Sequence, residues 1–243
     1  MKYKLTHRVL LSLCWLALVM LSLQSLTAQT ADTDTATPGS DVDSEPKEAA
    51  VYCANLVYAD NKTSVCFSNQ FLVTAGQETH IKAHPTFDAV RLDSAELFSY
   101  PYAVMTGEGA FTLNEEQINN LRDYLLGGGF LVASAGCSSQ PWHDSFRKVL
   151  AEAFPDIQTM KLDAKHPIFH SVYDITQSNY KSGGPRLPDL EALEIDGRVV
   201  MILSPDGLND TGNAGPGCCC CGGNEVKSAL KLNVNILAYA LTH

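Results

Sequence analysis

The residues of this chain whose types and spacing could do chemistry are a few cysteines, histidines and carboxylates. Cys137 closes the stretch VASAGC. A cysteine attacks only as thiolate, and a thiolate at neutral pH needs a nearby base or the positive end of a helix. A strand-to-helix turn at Cys137 would supply the helix end. His166, His170 and His143 are candidate bases, with Asp174 to orient one of them. The competing reading is a small buried or disulfide-bonded cysteine at a strand end, which is the commoner use of the residue. His166 and His170 stand four apart, the spacing of paired zinc ligands on a helix, but Pro167 lies between them and works against the helix. Gly107-Glu108-Gly109 begins like a phosphate loop. Thr112 stands where its third glycine belongs, and Glu108 would set a negative charge beside the phosphate, so a tight turn is expected. Glu108 becomes a candidate functional carboxylate if it faces a crevice.

The second cluster is GPGCCCCGGNE, in which Cys218, Cys219, Cys220 and Cys221 stand in a row. Consecutive residues do not easily set four sulfurs tetrahedrally around one zinc ion. Cys218 and Cys221 nevertheless have C-x-x-C spacing. They could hold a soft metal ion or form a redox pair, with Cys53, Cys66 or Cys137 as further partners. The alternatives are disulfides that pin the loop, or a tight glycine-cysteine turn. Asp206 and Asp210 in the same loop could add oxygen ligands, although isolated loop aspartates are usually solvated turn residues.

These groups need a frame to position them, and from Val51 onward the chain alternates strand and helix patterns. VYCANLVY (51–58), YAVMTG (102–107) and FLVASAG (130–136) read as buried strands. Residues 68–81, 112–126 and 142–154 read as helices, with Thr112 and Glu115 at capping-box spacing and Pro155 as a stop. LEALEI and RVVMILS flank Asp196-Gly197, a strong hairpin signal. A final buried helix runs toward the C-terminus, with Asn224 as its expected N-cap. The expectation is one α/β domain of three layers: a mostly parallel sheet, an antiparallel edge hairpin, and helices on both faces. Ligands of such sheets bind beyond the carboxyl ends of the strands, here where the second and third strands meet Gly107–Gly109 and Gly136-Cys137.

The N-terminus has the order of an export signal: Lys2, Lys4 and Arg8, then an uncharged run from Val9 to Leu23, then small and polar residues. That run is 15 residues, short of the ~20 a spanning helix needs. We therefore read 1–28 as a signal peptide and 29–50 as an acidic linker too poor in apolar residues to fold, leaving the domain at 51–243. The alternative is an uncleaved signal, the one route by which the chain would touch a membrane. The expected location is periplasmic or extracellular. The net charge of −10, with no basic cluster, argues against a nucleic-acid partner. Past residue 28 the chain keeps seven cysteines, so a monomer cannot pair them all.

The stretches NLVYADNKTSVCFSNQFL, RLDSAELFSYPYAVMTGEGAFTLNEEQINNLRDYLLGGGFLVASAGC, HPIFHSVYDI and CCCCGGNEVKSALKLNVNILAYALTH resemble the DUF4159 family, a domain of unknown function. The resemblance spans nearly everything from Val51 and implies a glutamine-amidotransferase-like, flavodoxin-like fold. In active amidotransferases a strand ends in a glycine pair that builds an oxyanion hole, and Gly107 and Gly109 resemble that pair. A later strand ends in a sharp turn with the nucleophilic cysteine, where Cys137 is similar, although Ser138-Ser139 follow it in place of a second glycine. A His-Pro-Glu element supplies base and acid, and His166-Pro167 is similar, with Ile168 in place of the acid. A retained fold with a degraded catalytic pattern implies a non-catalytic envelope module that binds a protein partner or a small ligand. Two alternatives stay beside it. One is a cysteine-dependent hydrolase or transferase, with Cys137 as nucleophile and His166 or His170 as base. The other is a metal- or redox-linked module built on Cys218 to Cys221.

Overall fold

The computed structural model describes residues 50–218 and 223–243. The segments expected to form an export signal and a linker, up to residue 49, and Cys219, Cys220 and Cys221 lie outside the described residues. Seven strands form one sheet: β1 (Val51–Val57), β2 (Ala83–Arg91), β3 (Tyr102–Gly107), β4 (Phe130–Ala135), β5 (Met160–Lys161), β6 (Glu191–Ile195) and β7 (Arg198–Ser204). Their order is β2-β1-β3-β4-β7-β6-β5. β2, β1, β3, β4 and β7 run parallel, and β6 and β5 extend the sheet antiparallel. The architecture is therefore α/β, with a mostly parallel sheet and an antiparallel edge. The hairpin turn is Asp196-Gly197, both at positive φ, as a two-residue turn matching strand twist requires.

Side chains alternate across the sheet with period two. Tyr102, Val104, Phe130 and Val132 pack on one face against helices α1 (Gln70–Glu78) and α4 (Ala229–Thr242). Ala103, Met105, Leu131 and Ala133 pack on the other against α2 (Glu115–Leu126) and α3 (Gln140–Ala153). Two buried apolar layers thus flank a sheet whose middle strands are covered on both sides, which is why those strands read as continuous apolar runs.

Several boundaries differ from expectation for identifiable reasons. β2 carries no clear pattern in the sequence, because it is an edge strand with Pro85 in it and only Val90 fully buried. The capping box of α2 is formed by Asn114 and Gln117, two residues later than Thr112 and Glu115. Gln117 is held there by a second bond, its Nε2 donating to Ala59 O at 3.3 Å. Asn224 does not cap α4. Its side chain exchanges two hydrogen bonds with the backbone of Ser182, and the helix begins at Ala229. Among the described residues no helix is long and apolar enough to cross a membrane.

Candidate functional site

The carboxyl ends of β3, β4 and β7 converge on one polar cluster. Thr106, Ser134 and Ser204, at those ends, are fully buried. Asn209 Oδ1 accepts from Thr106 Oγ1 at 2.9 Å and from Ser134 Oγ at 2.8 Å. Ser134 Oγ in turn accepts Leu208 N–H at 2.8 Å, and α4 contributes Asn233 Nδ2, which donates to Leu208 O at 2.9 Å. These bonds clamp the loop after β7 onto the sheet. They satisfy hydroxyls that would otherwise be costly to bury.

Strand order reverses between β1 and β3, and an open α/β sheet has its ligand crevice at such a point. Here that position is filled. Tyr58 Oη donates to Thr106 O at 3.1 Å and accepts from Trp142 Nε1 at 2.6 Å, and both rings are fully buried. A Cβ at Gly107 would run into the Tyr58 hydroxyl, so glycine is what lets the phenol lie across the strand end.

Beside this plug stands the Cys137 turn. Cys137 and Ser138 both have positive φ, 53° and 56°, a costly conformation for residues with a side chain. Ser139 stabilises the turn from two sides. Its Oγ caps α3 by accepting Trp142 N–H, and it also accepts Gly109 N–H at 3.0 Å. Ser138 Oγ donates to Asp206 O at 2.7 Å, tying the turn to the β7 loop. Asp206 pairs with Arg186 at 3.1 Å, and the guanidinium stacks over Tyr180.

Cys137 is disulfide-bonded, and its partner is not among the described residues. Glu108 Oε1 lies 3.1 Å from its sulfur. A disulfide sulfur has no proton to donate, so this is a contact and not a hydrogen bond. Glu225 Oε1 accepts Cys137 N–H at 3.1 Å, and burial pushes the Glu225 carboxyl up from its ordinary value. A Cβ at Gly223 would overlap the backbone of Cys137, so the chain entering α4 packs directly on the turn. The second disulfide joins Cys66 to Cys218, with a Cα separation of 4.8 Å. Among the described cysteines only Cys53 is free, and burial raises its thiol to about 12.

The expected catalytic set is not assembled. His166 caps a short 3₁₀ turn and packs on Tyr239, which in turn meets Phe130, the first residue of β4. Cys137 follows the other end of that strand, about 20 Å away for six residues at ~3.3 Å each. His170 shares the turn with His166 and opens onto a hollow with Ala238 and Thr242 in the last turns of α4. It does meet Asp174, as expected, but at that far edge: Nδ1 lies 2.5 Å from Asp174 and Nε2 2.7 Å from Ala164 O. Two oxygen acceptors on one imidazole require both nitrogens to donate, and these bonds hold His170 above the usual histidine range. With both nitrogens committed to these partners, neither is turned toward Cys137. His143, on α3, faces Glu191 on β6.

The oxyanion donors are also committed. Gly109 N–H goes to Ser139 and Cys137 N–H to Glu225, while Gly107 sits in the β3–β4 ladder opposite Ala135. As for metal, Cys218 has its sulfur in a disulfide rather than available as thiolate. Among the described residues no cluster of three or more His, Cys, Asp or Glu is arranged to hold an ion. Glu225, Asn209 and the Tyr58–Trp142 plug had no signal of their own in the sequence. Each matters through a distant partner, from the 48 positions between Tyr58 and Thr106 to the 103 between Thr106 and Asn209.

No curated protein matches the chain. The family model of a domain of unknown function, DUF4159, matches residues 52–241, and the chain belongs to that family.

Proposed function

We propose that the protein is an exported, non-catalytic binding module of glutamine-amidotransferase-like fold, in which the old nucleophile position serves as an anchor for a disulfide. The observation that carries this reading is the state of Cys137. Its sulfur is in a disulfide and in contact with the Glu108 carboxylate, and neither His166 nor His170 shares its edge of the sheet. If the disulfide were reduced, a full negative charge in contact would oppose a thiolate more strongly than the half charge of the α3 end would favour one. The amidotransferase likeness is supported by the glycines after β3 and by the positive-φ cysteine turn between β4 and α3. Export to a periplasmic or extracellular location is supported by the Cys66–Cys218 disulfide, since such bonds persist in oxidising compartments. The test is an activity screen against amide, ester and thioester substrates, with and without reductant. The reading expects no turnover that depends on Cys137. Thiol-dependent turnover lost in Cys137→Ala would remove it and restore the hydrolase or transferase reading.

A redox-linked module is the second reading, favoured by one observation. Two disulfides, at Cys66 and Cys137, hold the segment between β7 and α4 or the turn it packs on. Redox titration decides it. A potential near that of the compartment's thiol pool supports cycling, and one far below it supports a static staple.

A further inference from the structure

The strand that ends the sheet beyond β1 leaves backbone groups without partners. β2 is bonded to β1 alone. Leu92 N–H donates to Val57 O at 2.9 Å, and Val57 pairs with Arg91. In a strand the N–H and C=O of one residue point to the same side, and successive residues alternate. Asp88, Val90 and Leu92 therefore face β1, while Phe87, Ala89 and Arg91 face outward. Among the described residues no hydrogen bond reaches the N–H groups of these three or the carbonyls of Phe87 and Ala89. The open stretch is bounded at both ends. Asn69 Nδ2 donates to Pro85 O at 2.9 Å before it, and Ser94 N–H donates to Arg91 O at 3.0 Å after it. At the other end of the sheet β5 has only two residues. An open edge of this kind is a template for another strand.

The stretch is complementary to itself in one register. Pair it antiparallel with its own copy about a two-fold axis at Ala89. Ala89 then exchanges both hydrogen bonds with the partner's Ala89, and Arg91 N–H meets the carbonyl of the partner's Phe87. No like charges face each other, because Asp88 stands opposite Val90 and Arg91 opposite Phe87. The Arg91 guanidinium is held at its edges by Asp93 and Asn61, which leaves its flat face for the partner's aromatic ring. Neighbouring registers are worse. An axis at Asp88 sets two carboxylates directly opposite and puts Arg91 against Pro85, which has no N–H. An axis at Val90 puts Phe87 against Asp93, beyond the end of the strand.

We propose that β2 is a dimerisation edge, pairing antiparallel with β2 of a second copy of this chain so that the two sheets become one. The pairing is closed by its two-fold symmetry and stops at the dimer. It does not depend on the Cys137 reading, and its failure would leave the Cys137 turnover test unaffected.

The experiment is sedimentation velocity of the full chain over a concentration series. A ladder this short falls in the range of weak, reversible contacts, so a monomer–dimer equilibrium with a Kd of roughly 10–100 µM is expected. Ala89→Pro removes an N–H that β1 does not use and should abolish the dimer while the monomer keeps its own ladder. Ala89→Asp, at an exposed position, sets two carboxylates opposite each other at the axis and should weaken the dimer about fivefold. A circular-dichroism melt establishes that each variant folds, and if Ala89→Pro does not, Ala89→Asp decides alone. A dimer unmoved by these variants, or association that continues past the dimer, would overturn the proposal. So would a monomer throughout the series, which would leave the edge to a strand of another protein.

Discussion

The two edges of the parallel sheet are built on opposite terms. At the carboxyl edge the usual crevice is packed: Tyr58 and Trp142 fill the switch point, Asn209 ties β3 and β4 to the loop after β7, and disulfides hold Cys137 and Cys218. At the amino edge the histidines that could have served Cys137 cap turns and line an open hollow instead. The contrast shows that in one α/β frame the carboxyl edge can be closely packed and cross-linked while the opposite edge is left concave.

If the carboxyl edge is a structural clamp, damage there should cost stability in proportion to what each group holds. The largest effect is expected from Cys66→Ala. The disulfide it breaks spans 152 residues, for which chain entropy alone gives about 5 kcal/mol as an upper figure, read by urea unfolding under non-reducing conditions. Asn209→Ala should follow at about 3 kcal/mol, because it strips the shared acceptor from two fully buried hydroxyls. Ser139→Ala, which loses the α3 cap and the tie to Gly109, should cost about 1 kcal/mol. A loss below about 0.5 kcal/mol in Asn209→Ala would break the clamp picture.

Titration sharpens the contrast at smaller amplitude. Burial raises the folded-state value of Glu225, so its neutral form is the one the fold favours. The stability this gives is present below its ordinary value and is lost as pH rises through the raised one. Glu225→Gln keeps the acceptor for Cys137 N–H and should abolish that decline, seen as a flatter unfolding midpoint from pH 4 to 7. His170 is also raised, by its bonds to Ala164 O and Asp174. Its contribution is full below about pH 6.5 and fades as pH rises through the raised value. The pair is exposed, so Asp174→Asn should change this only slightly, the smallest effect of the set.

Much of the frame was legible because buried parallel strands and amphipathic helices leave strong patterns. YAVMTG and FLVASAG are strands where expected, and Asp196-Gly197 turns a hairpin. β2 was not legible, since an edge strand with a proline buries little. The family resemblance holds over 52–241. The site was much less legible. Composition placed Cys137 at a strand end and offered a disulfide as one of its uses, but nothing local pairs Cys66 with Cys218 or sends Glu225 to the Cys137 amide. His166 and His170 were brought to mind by residue type and resemblance. Their distance from Cys137 depends on which end of β4 each one meets, and spacing along the chain does not encode that. Asn224 and Thr112 illustrate the same limit on a smaller scale. Both satisfy a local capping rule; Thr112 yields to Asn114, whose box partner Gln117 also reaches Ala59 O, and Asn224 is itself drawn away to the backbone of Ser182.

The central claim is that Cys137 anchors a disulfide and does not act as a nucleophile. The most direct measurement is thiol alkylation of the protein isolated without reductant, first native and then denatured, followed by peptide mapping. The account predicts that Cys137 resists alkylation in both states, that Cys66 and Cys218 appear in one cross-linked peptide, and that Cys53 reacts only after denaturation. Rapid alkylation of Cys137 in the native protein at neutral pH would contradict it.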